Sequence, residues 1–112
     1  MNPKALKYIL DIEVIISEID EILDKTDKNF FEFQKSFIYK RAIERDLEII
    51  GEAVKKLYEI DPNYNISSKK KIIGLRNIIS HAYDSVEDEL LWGIIIKDIP
   101  ILKKEILKLK NS

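Results

Sequence analysis

The sequence predicts an all-α protein, an up-and-down bundle of about four to five helices. Three observations carry that expectation. Apolar residues recur at helical spacing over long segments. Glycine and proline number only three each, so loops are few. No run alternates with strand period between turn signals, and Ile94–Ile96 is the one stretch where a strand competes.

At 112 residues the chain has the size of one domain, taken as residues 1–112. It is 46% hydrophobic and 35% charged, which suits a globular chain and not a disordered one. Nineteen basic residues against twenty acidic ones give a net charge of -1. That excludes a wholesale basic coat, so a polyanion site must come from local clustering. Cysteine is absent and His81 is the single histidine. Thiol chemistry, disulfides and multi-histidine metal sites within one chain are thereby excluded. No segment approaches the ~18 apolar residues of a membrane span, and Asp11 and Glu13 interrupt any leader-like run. The expected location is cytoplasmic, with no membrane partner.

The first helix runs from Asn2, a capping residue, through Pro3 to about Lys25. Leu6, Ile9, Ile12, Ile16, Ile19 and Leu23 belong to its apolar stripe. Six acids and no base lie between Asp11 and Asp24. They read as a solvated outer face or as a docking face for a basic partner. Residues 26–29 form a turn, and Phe30, Phe31, Phe33 and Phe37 follow as a short helix packed on the bundle. A base-stacking platform is the less favoured reading of these rings, because aromatic side chains usually enter the core.

A second long helix spans Ser36 to about Glu59, with Ile38, Ala42, Ile43, Leu47, Ile50, Val54 and Leu57 as its stripe. Gly51 in mid-helix costs about 1 kcal/mol relative to alanine, so another helix is expected to cross closely there, a kink being the alternative. Asp61-Pro62-Asn63 with Asn65 stops the helix. A third helix begins near Ser67–Ser68 and runs to about Ala82. Ser85-Val86-Glu87-Asp88 resembles a capped start. Pro100 marks a break before a terminal helix carrying Ile101, Leu102, Ile106 and Leu109.

The chemistry gathers in residues 69–84. On a wheel of ~100° per residue, Ile72, Leu75, Ile78, Ile79 and Ala82 share an apolar arc. Arg76, Asn77, Ser80, His81, Tyr83 and Asp84 fall on the opposite side. Lys69, Lys70, Lys71 and Arg76 make the stretch locally basic. A neutral imidazole can accept a ribose 2′-hydroxyl proton near neutral pH. A guanidinium offers a planar fork to phosphate. Asn77 is placed to orient the imidazole or to bind a phosphate oxygen. An ordinary exposed helix end is the competing account of the same residues.

Residues 76–83 read Arg-Asn-Ile-Ile-Ser-His-Ala-Tyr, an R-x4-H-x-Y pattern that resembles the signature of the HEPN superfamily in its HepT-like branch. Leu47–Leu57, Ile72–Asn77, and Trp92 with Asp98-Ile99-Pro100 are similar to the same branch. The resemblance implies a HEPN-like bundle that dimerises so that two motif faces meet. It implies a metal-independent RNA endonuclease without a cofactor, the toxin of a type VII (HepT/MntA) toxin–antitoxin system. Its partner would be a minimal nucleotidyltransferase antitoxin (MntA-like). By the same resemblance Arg76 and His81 are catalytic, Asn77 assists, and Tyr83 receives AMP from the antitoxin. Some members are described as non-catalytic nucleotide- or substrate-binding helpers of the transferase, and that is the alternative function.

Overall fold

The computed structural model describes residues 2–81 and 87–112, with the Ser80 and His81 side chains also left outside the description. The chain winds through α1 (Pro3–Lys25), α2 (Phe30–Gln34), α3 (Phe37–Ile60) and α4 (Lys69–His81). After α5 (Asp88–Gly93) a π-helical stretch, Ile94–Asp98, leads directly into α6 (Ile99–Lys110). The all-α bundle expected from the sequence is the fold observed. Among the described residues no helix is long and apolar enough to cross a membrane.

Local chemistry sets most helix ends. The Asn2 side chain accepts from the Lys4 and Ala5 N–H groups at 2.8 and 3.3 Å, with Pro3 opening α1. At its other end Asp27 and Lys28 both take φ 53°, in the left-handed region. There the Lys28 N–H reaches back to the Leu23 carbonyl at 2.8 Å. Asn29 caps α2 through Phe31 and Glu32, and Ser36 caps α3 through Tyr39. The Tyr58 hydroxyl donates to the Tyr64 carbonyl and accepts from the Ile66 N–H, which ties the 61–68 loop to α3.

Helix α1 packs on α3, α3 on α4, and α1 on α6. Ile9, Ile12, Ile19, Ile43, Leu47, Ile50, Leu57, Ile72, Leu91 and Ile95 are fully buried between them. Each such side chain contributes on the order of 1.5–3 kcal/mol through burial. Lys103–Asp20 and Lys110–Glu13, at 2.9 and 3.0 Å, show α6 antiparallel to α1. Those two lysines occupy part of the acidic face of α1 from within the chain.

Several local expectations need correction. Ile38 is exposed, because it lies nine residues from Leu47, ~180° around the helix. Ile78 is also exposed, in an open apolar notch with Leu90 between α4 and α5. Of the four phenylalanines only Phe33 is buried; Phe31 and Phe37 are 71% and 65% exposed. Phe33 packs on Trp92, and Phe30 meets the same indole edge-on at 5.8 Å.

Pro100 does not break the helix. Its ring would clash with the carbonyl four residues back and it donates no N–H. The chain widens instead, the Ile99 N–H reaching the Ile94 carbonyl five residues back. Ile94–Ile96 is therefore helical and not a strand. The capped start is seen only from Glu87, which makes no side-chain cap bond to α5; Ser85 and Val86 lie outside the described residues.

Candidate active site

The site is built where α3 and α4 cross. Gly51 faces Arg76 so closely that a Cβ added at 51 would lie 2.5 Å from the Arg76 Cβ and 3.0 Å from the Ile72 carbonyl. The mid-helix glycine thus marks a close crossing and not a kink. Tyr58 lies against Lys69 further along, its ring centroid 3.8 Å from the ammonium, so the two helices run antiparallel. α4 leads from there past Arg76 toward His81.

Arg76 is not opposite the core, as its place on the wheel suggests. Its stem is pressed into the α3–α4 seam and its side chain is only 23% exposed. Its Nε donates to Glu52 Oε2 at 2.7 Å, and Nη2 lies 2.6 Å from the same oxygen. Its Nη1 donates to the side-chain amide oxygen (Oδ1) of Asn77 at 2.5 Å. A guanidinium has five donor hydrogens, and among the described residues two on the Nη atoms have no partner. Asn77 is exposed, and its side-chain Oδ1 is committed to Arg76.

These groups open on a groove of about 320 Å³ lined by Tyr8 and Asp11 of α1, Arg45, Glu48, Ile49, Glu52 and Ala53 of α3, and Arg76. Each carboxylate in the wall has a basic partner: Asp11 with Lys7 at 3.0 Å, Glu48 with Arg45 at 2.6 Å, and Glu52 with Arg76. The groove therefore presents paired charge and not bare carboxylates. Among the described residues no group of three His, Cys, Asp or Glu side chains is placed to hold a metal ion. His81 is placed by its backbone as the last residue of α4, five residues after Arg76. Tyr83 and Ala82 lie outside the described residues.

Glu52 is the residue that sequence reasoning missed as the partner of Arg76. The signal was available: Gly51 announced a close crossing, and the carboxylate beside it stands within reach of a cation on the opposing helix. A second carboxylate, Asp46, is buried in α3 away from the groove lining. Burial pushes its pKa up to about 6; nearby Glu18 adds to the effect and Arg45 opposes it.

The family described as "Ribonuclease HepT-like" matches residues 12–109, a span that contains Arg76, Asn77, His81 and Tyr83. The chain belongs to the HepT-like ribonuclease family. Its HepT-like sequence is 39% identical over 108 residues to "Gamma-glutamylcyclotransferase and putative RNase MJ0434" of Methanocaldococcus jannaschii. That alignment covers 96% of this chain but only 46% of the longer protein. It is 36% identical over 97 residues to "Putative RNase TTE0752" of Caldanaerobacter subterraneus subsp. tengcongensis, covering 85% of this chain and 87% of the relative. It is 32% identical over 109 residues to "Probable ribonuclease HepT" of Thermococcus cleftensis, covering 93% and 94%. No solved structure matches the HepT-like chain.

Proposed function

We propose that this HepT-like chain is a metal-independent RNA endonuclease and the toxin of a toxin–antitoxin pair. The observation that carries the reading is the HepT-like match across the Arg76–His81 helix, together with an arginine held in place by Glu52 five residues before the histidine. His81 takes the proton from a ribose 2′-hydroxyl, and that oxygen attacks the adjacent phosphorus. The bond from phosphorus to the 5′-oxygen breaks, and the leaving oxygen takes a proton from the His81 of a second copy. The products are a 2′,3′-cyclic phosphate and a 5′-hydroxyl. Arg76 meets the charge that builds on the phosphoryl oxygens with the Nη hydrogens that no described residue takes. Asn77 assists by holding Nη1. One histidine per chain makes a homodimer the working unit.

A minimal nucleotidyltransferase would neutralise the toxin by joining AMP to Tyr83. If α4 continued to that residue, Tyr83 would sit ~20° from Arg76 on the wheel. Each phosphodiester adds one negative charge beside the arginine and blocks the place of the RNA backbone. The rival function is a non-catalytic helper that binds the transferase or its nucleotide. Cleavage that disappears in His81→Ala and in Arg76→Lys, yet is indifferent to chelator, supports the nuclease; Arg76→Lys keeps the charge and loses the fork. Activity that survives both substitutions overturns it, and nucleotide-dependent complex formation without cleavage favours the helper. Mass spectrometry after co-expression with the transferase should show AMP on the wild type and none on Tyr83→Phe.

A further inference from the structure

The first half of α3 takes no part in the chemistry above, yet it carries the most exposed aromatic residue of that helix. Phe37, Arg41 and Arg45 follow one another at four-residue spacing, so they line one edge of α3. All three are exposed. The Arg41 guanidinium lies 5.8 Å from the centre of the Phe37 ring. Arg45 then lines the groove that Arg76 enters. One edge thus passes from an aromatic ring, over two guanidinium groups, to the candidate active site. From Phe37 to Glu52 it covers ~22 Å at 1.5 Å per residue.

The exposed arginines suit a polyanion. Residues 35–45 hold Lys35, Lys40, Arg41 and Arg45 against Glu44; Lys35 is paired with Glu32, Lys40 with Asp88 and Arg45 with Glu48, while the Arg41 and Arg45 side chains stay exposed. The exposed ring alone would say nothing about what covers it, but the ring and the two guanidinium groups together ask for a ligand with flat apolar faces and repeated negative charge. Single-stranded nucleic acid has both. A second copy docked over the whole edge, about a twofold axis at Arg41, would set guanidinium against guanidinium.

We infer that Phe37, Arg41 and Arg45 form a track for single-stranded RNA leading into the Arg76 groove. The Phe37 ring stacks on a base and the two guanidinium groups take phosphates. Arg45 is the exposed member of its pair with the half-buried Glu48, and with five donor hydrogens its guanidinium can meet a phosphate while that pair is kept. This inference rests on the reading of the chain as an RNA-cleaving enzyme, with the track supplying substrate positioning and not chemistry.

The test is the affinity of the intact protein for a single-stranded RNA carrying 2′-fluoro groups, which cannot be cut through the 2′-oxygen. Fluorescence anisotropy over a range of salt concentrations gives Kd and its salt slope. Phe37→Leu should weaken binding roughly tenfold, and Phe37→Trp should restore it. Arg41→Gln and Arg45→Gln should each flatten the slope of log K against log salt by about 0.7. Thermal melts should be unchanged in all four, because these side chains are exposed. Wild-type affinity in Phe37→Leu, or no binding by the wild type, overturns the track. So does a Phe37→Leu variant that loses self-association in sedimentation and keeps its RNA affinity, which would make the edge a contact between copies. Parallel cleavage of unmodified RNA separates the two readings. Cleavage indifferent to Phe37 removes the track alone, whereas Phe37-dependent binding without cleavage removes the nuclease alone.

Discussion

Between Asp11 and Asp24, α1 carries six carboxylates and no base, whereas α3 from Phe37 to Arg45 carries three bases and one acid. The two helices pack on each other, yet the chain treats their outer faces differently. Lys103 and Lys110 of α6 pair with Asp20 and Glu13, and Lys7 pairs with Asp11. Half of the acidic run is met from within. On α3, Lys40 pairs with Asp88 and Arg45 with Glu48, while Arg41 packs on Phe37, and the two arginines stay exposed. A net charge of -1 therefore conceals a division into a negative face bridged in part by lysines of α6 and a positive edge whose two arginines remain exposed. Composition excludes a basic coat, but it says nothing about such sorting.

The largest effect should come from reversing the open edge. Arg41→Glu with Arg45→Glu should lower affinity for single-stranded RNA on the order of a hundredfold at low salt. Lys103→Glu with Lys110→Glu, the same charge change on the covered face, should leave affinity within about twofold. Equal losses in anisotropy titrations of the two variants would show that only total charge matters and erase the distinction.

The next effect concerns the crossing that leads from the open edge to the groove. Gly51→Val should cost about 2–3 kcal/mol, because the added carbons meet the Arg76 stem and the backbone of Ile72. The melting temperature should fall by several degrees. Cleavage should fall further than the folded fraction does, since Arg76 is displaced as the helices part. A melt equal to the wild type would mean that the helices separate freely.

Asp46 tests the boundary between the two faces, where α1 contributes Glu18. Its carboxyl is pushed up to about 6 in the fold, from an ordinary 3.8. The folded chain holds that proton more firmly than the unfolded chain between those values. Stability from this group is thus full below about pH 4, falls as pH rises through about 6, and is level above. Asp46→Asn should remove that slope and raise stability near pH 7 by up to about 3 kcal/mol. Denaturant titrations at pH 4 to 8 check it, and an unchanged slope would refute the assignment. The smallest effect belongs to the covered face: Lys103→Ala should shift the melt little, and the shift should vanish in molar salt.

Much of this architecture was legible in the sequence because periodicity and caps are local. Asn2, Asn29 and Ser36 announce helix starts by their chemistry, and Gly51 announces a close neighbour by its cost. Ile38, Phe31 and Phe37 were misplaced in the core because hydrophobicity says what a residue prefers, not which neighbours reach it. Pro100 was read as a break because a proline rule knows nothing of a widened turn upstream. At the site, Arg76 was found by pattern, but its place in the seam and its bond to Glu52 depend on the crossing of two helices separated by a loop.

The Gly51–Arg76 contact also constrains how this protein can evolve. Arg76 serves as a wall of the packing through its stem and as a charged group through its tip, so one codon answers to two selections. A lineage that lost the chemistry and shortened residue 76 would still not free residue 51, because every side chain but glycine's keeps the Cβ that stands 2.5 Å from a Cβ added there, and the Ile72 carbonyl stays 3.0 Å away. Among inactive descendants, residue 76 should therefore drift while residue 51 stays glycine.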